Sequence, residues 1–201
     1  MTVSIENLVQ TRIPTKHGEF VLHYFSNTLD DKEHVAFVFG NVADKKSVPV
    51  RIHSECFTGD VFGSRRCDCG EQLDTALKYI SEQGAGVLLY LRQEGRGIGL
   101  LKKMQAYNLQ DEGMDTVDAN LHLGHLADER DYTIAALMLE NLHIQSINLI
   151  TNNPNKIKQM QDLGIKVEER IAIQIASNSD NKGYLQTKID KMAHLLKPSH
   201  Y

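Results

Sequence analysis

All three cysteines of this 201-residue chain lie in one stretch, Cys56-Phe57-Thr58-Gly59-Asp60-Val61-Phe62-Gly63-Ser64-Arg65-Arg66-Cys67-Asp68-Cys69-Gly70. Three thiolates that converge on one point make a soft, anionic site of the kind zinc prefers. An odd number of cysteines cannot pair off completely as disulfides. Three protein ligands also leave the fourth tetrahedral position open, the feature that separates catalytic from structural zinc. The residues therefore point first to a zinc hydrolase. Two rivals stand beside it. His53 as a fourth ligand would close the site and make it structural. A nucleoside deaminase would use His53-Ser54-Glu55 as the His-x-Glu half of its signature, but the Pro-Cys-x-x-Cys half is missing. Cysteines that only fill space are usually scattered, and these are not.

Two further clusters carry chemical groups. Arg92-Gln93-Glu94-Gly95-Arg96-Gly97-Ile98-Gly99 follows an apolar run and opens a helical pattern. Such a loop can bring backbone amides and guanidinium forks to phosphate oxygens. The Walker Gly-Lys-Ser/Thr sequence is absent, and a solvated turn with surface ion pairs is the competing reading. Asp128-Glu129-Arg130-Asp131-Tyr132 precedes another helical pattern, where Asp131 is placed to cap and Arg130 to pair with carboxylates. Asp128 becomes a proton acceptor only if the fold turns it toward the metal. His122 and His125 stand three apart on an expected helix, and read as structural or exposed.

The elements that must position these groups can be read from periodicity. Residues 19–25, 34–40 and 48–53 are rich in β-branched and aromatic side chains and predict strands in the first fifty-odd residues. From Glu71 the period changes: Leu73, Ala76, Leu77 and Ile80 predict a helix stopped by Gly84. Residues 86–91 and 146–150 predict buried strands, and 100–109 and 132–142 helices. Thr151-Asn152-Asn153-Pro154 is a turn with Pro154 set to open a helix that Gly164 closes, followed by a strand at 165–167. Leu185, Ile189, Met192, Leu195 and Leu196 predict an amphipathic helix over 184–196. Strands first, then alternating strands and helices, give a mixed α/β (α+β) single domain. Its expected parts are a β-rich 1–55, a zinc- and nucleotide-binding 56–170 and a C-terminal helical segment 171–201.

Composition narrows the function classes. A 41% hydrophobic content supports a core, and 24% charged residues with a net charge of -4 disfavour a general nucleic-acid or membrane binder. Met1-Thr2-Val3-Ser4-Ile5-Glu6 lacks a basic segment followed by an apolar run, so no signal peptide is expected, and unpaired thiols suit the cytoplasm.

In order and kind, the motifs resemble the GTP cyclohydrolase II family over nearly the whole chain. The resemblance rests on Arg51-Ile52-His53-Ser54-Glu55-Cys56-x-Thr58-Gly59-Asp60, Arg66-Cys67-Asp68-Cys69-Gly70 and the loop from Arg92 to Leu100. Asp115-Thr116-Val117-x-Ala119-Asn120, Asp128-x-Arg130-Asp131-Tyr132, Leu149-x-Thr151-Asn152-Asn153-Pro154-x-Lys156 and Tyr184-Leu185-x-Thr187-Lys188 extend it. It implies conversion of GTP to 2,5-diamino-6-(5-phosphoribosylamino)pyrimidin-4(3H)-one, formate and pyrophosphate, the first step of riboflavin biosynthesis. It implies one zinc per subunit on Cys56, Cys67 and Cys69, Mg2+ with the triphosphate, and a homodimer. GTP contacts are implied for Arg51, Ile52, His53, Ser54, Glu55, Gln72, Glu94, Gly95, Arg96, Thr116, Thr151 and Lys156. Asp128 is implied as proton acceptor, Arg130 as nucleophile toward the α-phosphate, and Tyr107 as a neighbour of the purine. A guanidinium is a poor nucleophile, so phosphate positioning is an equal reading of Arg130. Larger relatives fuse this domain to a dihydroxybutanone-phosphate synthase, for which 201 residues leave no room.

Overall fold

The computed structural model describes residues 2–196 of the chain. Strands are β1 (Ile5–Thr15), β2 (Gly18–Asn27), β3 (His34–Phe39), β4 (Val48–Ser54), β5 (Gly86–Leu91), β6 (Ile147–Ile150) and β7 (Val167–Ile171). Helices are α1 (Phe57–Asp60), α2 (Cys69–Glu82), α3 (Leu100–Asp111), α4 (Thr116–His122), α5 (Thr133–Asn141), α6 (Pro154–Asp162) and α7 (Lys182–Asp190), with a short 3-10 turn at Glu94–Gly97. The mixed α/β class follows the predicted order of elements. None of the described helices is long and apolar enough to cross a membrane.

The chain forms two compact units, each assembled from three segments. The first, Met1–His53, Asp74–Arg92 and Asp131–Ile173, holds a seven-stranded sheet in the order β1-β2-β3-β5-β4-β6-β7. Antiparallel pairing joins β1 to β2, β2 to β3 and β3 to β5, whereas β4, β6 and β7 run parallel. This division explains the sequence patterns. In β3 alternate residues His34, Ala36 and Val38 are buried, as one covered face requires. By contrast β5 is apolar throughout and buried at nearly every position. Helix α5 is apolar almost all round, burying Ile134, Ala135, Ala136, Met138 and Leu139 in the core with Val50, Ile52, Leu89, Leu91 and Leu149. Each large side chain fully buried this way contributes about 1.5–3 kcal/mol.

Three local features differ from the sequence expectation. The edge strand β1 was covered by the general β-rich reading but not picked out, because its mostly exposed face carries little alternation. It tolerates Pro14 and a bulge at Leu8, both suited to an edge. The strand expected at 165–167 is shifted to Val167–Ile171: Gly164 turns left-handed (φ +86), and Ile165 donates its amide to the Met160 carbonyl, so Ile165 completes the cap of α6. The C-terminal helix ends at Asp190 and does not continue to 196. Ala193 is left-handed and His194 N–H turns back onto the Lys188 carbonyl (3.0 Å), closing the helix; residues 197–201 lie outside the described residues.

The second unit, Ser54–Leu73, Gln93–Arg130 and Gln174–Tyr201, is built from α1, the start of α2, α3, α4 and α7. Asp115 caps α4, accepting from Val117 and Asp118 amides, and Lys191 holds the same carboxylate. His122 is the exposed last residue of α4, but His125 lies beyond its end and bonds Glu129 at 3.1 Å, so the two histidines do not share a helix face.

Buried His34 generates a pH prediction. Its Nδ1 accepts the Arg92 amide (3.1 Å) while Nε2 faces Asp30 (3.2 Å). Burial lowers its pKa despite the upward pull of Asp30, and burial lowers that of His23 too. For a base depressed in the fold, the unfolded chain binds more protons below about pH 6.5, so stability falls as the pH drops through that window. The melting temperature should decline there, and less steeply in His34→Asn, whose amide oxygen can still accept from Arg92. Calorimetric melts across this pH range check it.

Candidate active site

The three thiols come together in the second unit. Cys56 follows β4 and precedes α1, Cys67 sits in the next loop, and Cys69 begins α2. Their sulfurs lie within 4.8 Å of one another, and among the described residues no other His, Cys, Asp or Glu group converges in this way. Zinc–sulfur bonds of about 2.3 Å at tetrahedral angles put sulfurs about 3.8 Å apart. Cys56 Sγ and Cys67 Sγ are 3.7 Å apart, a spacing that fits a shared metal and far exceeds a disulfide bond. His53 is not part of this group, so the closed four-ligand rival finds no support.

Backbone packing makes room for the sulfurs. A Cβ on Gly59 would stand 2.9 Å from Cys67 Sγ, 3.1 Å from Cys56 Sγ and 3.1 Å from Cys69 Cβ. Its absence is what lets α1 lie against the cluster. A Cβ on Gly70 would strike the Gly59 carbonyl, so the second glycine permits α2 to start there. Asp60 Oδ2 accepts the Cys56 amide at 2.9 Å and fixes the backbone of Cys56.

The charge around the cluster is arranged in two buried pairs. Lys103, on α3, donates to Cys56 Sγ (3.1 Å), Thr58 Oγ1 (3.1 Å) and Glu94 Oε1 (2.8 Å). Glu94 in turn accepts the Phe57 amide at 2.6 Å. Hydrogen bonds from Cys67 and Cys69, opposed by burial and assisted by the Lys103 charge, hold the Cys56 thiol far below its ordinary range. The same bond to Cys56 pushes Cys67 up to about 11. Between Cys67 and Cys69, Asp68 is buried against Lys188 of α7 (2.7 Å) and accepts from Gln72 (2.5 Å). Burial opposes its ionisation, but Lys188 holds its carboxyl below the usual value.

Tyr107 lies one helical turn beyond Lys103 on α3. Its ring is covered by the Arg66 guanidinium (4.4 Å), which Asp111 grips through both oxygens. Burial pushes the phenol up to about 12, and Thr58 is its hydrogen-bond partner. Arg96 adopts a left-handed backbone (φ +63) next to left-handed Gly95. Its NH1 reaches the Ala127 carbonyl, and its NH2 is buried with no protein partner. Arg130 makes a two-pronged pair with Asp128 (2.8 and 2.5 Å). Despite burial, that pairing holds the Asp128 carboxyl below its ordinary range. Asp131 accepts the Thr133 amide, as a residue at the entry of α5 should.

The sheet unit gathers a separate set at the carboxyl ends of parallel β4 and β6, where open α/β sheets bind ligands. Arg51 donates to the Ile150 carbonyl (3.0 Å) and Lys156, in the first turn of α6, donates to the Ile52 carbonyl (2.8 Å). Thr151 Oγ1 accepts the Asn153 amide, and Asn153 caps α6 ahead of Pro154. His53 stacks on Tyr90 at 5.5 Å.

A family model described as GTP cyclohydrolase II matches residues 6–172. The chain belongs to the GTP cyclohydrolase II family. It is 53% identical over 193 residues to the riboflavin biosynthesis protein RibBA of Chlamydia muridarum, covering 96% of this chain and 46% of that protein. It is 55% identical over 188 residues to the protein of that name from Bacillus cereus strain B4264 (94% and 47% covered). The Bacillus subtilis protein of the same name is 51% identical over 197 residues (98% and 50%). The chain thus spans about half the length of these relatives.

Against the residues that resemblance to the GTP cyclohydrolase II family implies, the structure brings together Cys56, Cys67, Cys69, Glu94 and Tyr107 in one network, and pairs Asp128 with Arg130. Ser54 joins Gln93 at 3.3 Å, next to Glu94. Gln72 faces Asp68, one position from two of the thiols. Thr116 opens α4 directly after its cap. Arg51, Ile52, Thr151 and Lys156 form the sheet-unit set, while Glu55 sits between β4 and the first cysteine. Arg65 pairs with Asp180 at 3.0 Å on the surface.

Sequence reading missed Lys103, Asp68 and Lys188. A signal for the first exists in α3: Lys103 is buried whereas Leu100 and Leu101 are exposed, an inversion of the usual helix pattern. For Lys188 the signal was the Tyr184-Leu185-x-Thr187-Lys188 string, to which no role had been attached.

Two predictions follow from this packing. Gly59→Ala, whose methyl would press on the Cys67 and Cys56 sulfurs, should weaken uptake of added Zn2+ in a chelator competition, while the far-ultraviolet spectrum of the sheet persists. Lys188→Met, which leaves Asp68 buried without its cation, should lower unfolding free energy by about 3–5 kcal/mol in urea melts.

Proposed function

We propose that this chain hydrolyses GTP to 2,5-diamino-6-(5-phosphoribosylamino)pyrimidin-4(3H)-one, formate and pyrophosphate, the first step of riboflavin biosynthesis. The observation that carries the reading is the convergent, zinc-spaced Cys56–Cys67–Cys69 cluster in a member of the GTP cyclohydrolase II family. Cys56, Cys67 and Cys69 would hold one zinc, which supplies Lewis acidity and activates water at neutral pH.

The remaining work falls to the chain's own groups. In the second unit, Tyr107 offers its ring to the purine. Glu94, Gly95 and Arg96 border the substrate, with the partnerless Arg96 NH2 supporting an anionic or carbonyl contact there. Ser54, Glu55, Gln72 and Thr116 are further substrate contacts. Asp128, kept ionised by Arg130, is in the state that can accept a proton. In the sheet unit, Arg51, Ile52, His53, Thr151 and Lys156 are the groups we assign to the nucleotide, with Arg51 and Lys156 suited to phosphate charge. Mg2+ would accompany the triphosphate. The two-pronged pair with Asp128 keeps Arg130 a charged fork, which supports phosphate positioning over covalent attack. We extend the reading to a homodimer working in the cytoplasm, with no nucleic acid or membrane partner.

Incubation with GTP, zinc and magnesium should release formate and pyrophosphate in equal yield, and Cys67→Ser should abolish formate. Pyrophosphate without formate would replace this reading by a phosphohydrolase or formyl-retaining one, and neither product would leave a nucleotide-binding protein. Rapid-quench mass spectrometry during turnover should find no phosphoramidate on Arg130.

A further inference from the structure

A three-thiolate ligand set brings three negative charges to a divalent ion and leaves the assembly net anionic in a buried place. The protein has to answer that charge, and the answer is not symmetric about the three sulfurs. Lys103 Nζ lies 3.1 Å from Cys56 Sγ and donates to it, whereas the Lys188 ammonium acts on Cys69 only through space, its hydrogen bond going to Asp68 Oδ1 (2.7 Å). Lys103 is 8% exposed, so its charge is screened little by water. Its position is held from three sides. Thr58 Oγ1 accepts at 3.1 Å, Glu94 Oε1 accepts at 2.8 Å, and α3 carries it on a rigid backbone. Glu94 is itself anchored by the Phe57 and Gly95 amides, at 2.6 and 3.0 Å. The ammonium therefore cannot relax away from the sulfur without breaking a buried pair.

We propose that Lys103 is a positioning residue of the metal centre: its ammonium, hydrogen-bonded to Cys56 Sγ, draws charge from that one ligand and so sets both the affinity of the three-sulfur site and the electron-accepting strength of the metal it holds. The inference rests on the reading of Cys56, Cys67 and Cys69 as a metal site. Groups hydrogen-bonded to metal ligands tune the metal in this way and commonly matter as much as a ligand does. The geometry also separates two roles of one side chain. Toward Glu94, Lys103 is an ion pair that orders the loop at Glu94–Gly97; toward Cys56 it is a counter-charge on a ligand.

Cobalt substitution reads the second role directly, without turnover. Cobalt(II) bound to thiolates gives sulfur-to-metal charge-transfer absorption, whose energy falls as the sulfur lone pairs rise. In Lys103→Met the Cys56 sulfur loses its donor, so the band should move to lower energy. Zinc affinity, measured by competition with a chromogenic chelator, should weaken about 10–100-fold. With GTP as substrate, kcat should drop while KM changes little, since Lys103 acts through the ligand. Glu94→Gln removes the carboxylate charge, keeps an acceptor for Lys103 and leaves the ammonium on the sulfur, so its cobalt band should stay at the wild-type energy. A shift in both variants of equal size would overturn the proposal in favour of a loop-ordering role. An unchanged band and zinc affinity in Lys103→Met, with the wild-type thiolate band present, would overturn it while leaving the metal site intact. Absence of any thiolate band in the wild-type protein would remove the metal reading itself, and this proposal with it. Should Lys103→Met fail to fold, Lys103→Gln keeps an N–H for Glu94 and loses the charge. A shifted band there supports the proposal, and an unchanged one overturns it.

Discussion

Three cysteine sulfurs packed within 4.8 Å create an electrostatic problem that organises the second unit. Ionised together, groups this close repel unless cations answer them, and burial removes water as an alternative. The unit meets this with one lysine on α3 touching Cys56 and one on α7 pairing with the aspartate between Cys67 and Cys69. Both are buried and both come from helices distant in sequence from the cysteines, by 47 residues for Cys56 to Lys103 and by 120 for Asp68 to Lys188. Charge compensation thus dictates where α3 and α7 must pack. The exposed leucines at the start of α3 are a consequence, because its inward face is given to Lys103, Ala106 and Tyr107.

The close approach of sulfur and backbone depends on glycine as much as on charge. A Cβ on Gly59 would press on the sulfurs and one on Gly70 would strike the Gly59 carbonyl, so both glycines let α1 and the start of α2 meet beside the thiols. The same economy of backbone appears in the turn after β5, where left-handed Gly95 and Arg96 aim the Arg96 side chain inward, a conformation that costs a non-glycine residue about 1–3 kcal/mol. Strain of that kind persists where surrounding contacts hold it, and here Glu129 donates its amide to the Arg96 carbonyl at 3.0 Å.

In the sheet unit the logic is topological. Parallel pairing of β4 with β6 brings their carboxyl ends side by side, so Ile52 and Ile150, nearly a hundred residues apart, offer their carbonyls to Lys156 and Arg51. Cationic side chains anchored on backbone carbonyls at strand ends are held in one orientation by the sheet itself. Pro154 and the Asn153 cap make α6 begin where Lys156 is needed.

The clustering of the three thiols, the family and most of the elements are legible in the chain alone. Cysteine spacing is local information, and so are the alternation in β3, the uniform apolar run of β5 and the Asn153-Pro154 helix start. The sequence left β1 indistinct because an exposed edge strand has no buried face to write a pattern. It extended the last helix to 196 because Met192, Leu195 and Leu196 continue an apolar period, whereas the chain is turned back at Ala193 by a bond to the Lys188 carbonyl. Only the folded chain decides which cations pack beside the thiols and that Asp128 and Arg130 grip each other. Those facts depend on contacts between segments far apart in the chain, and a charged residue carries no mark in its sequence of the partner that will bury it.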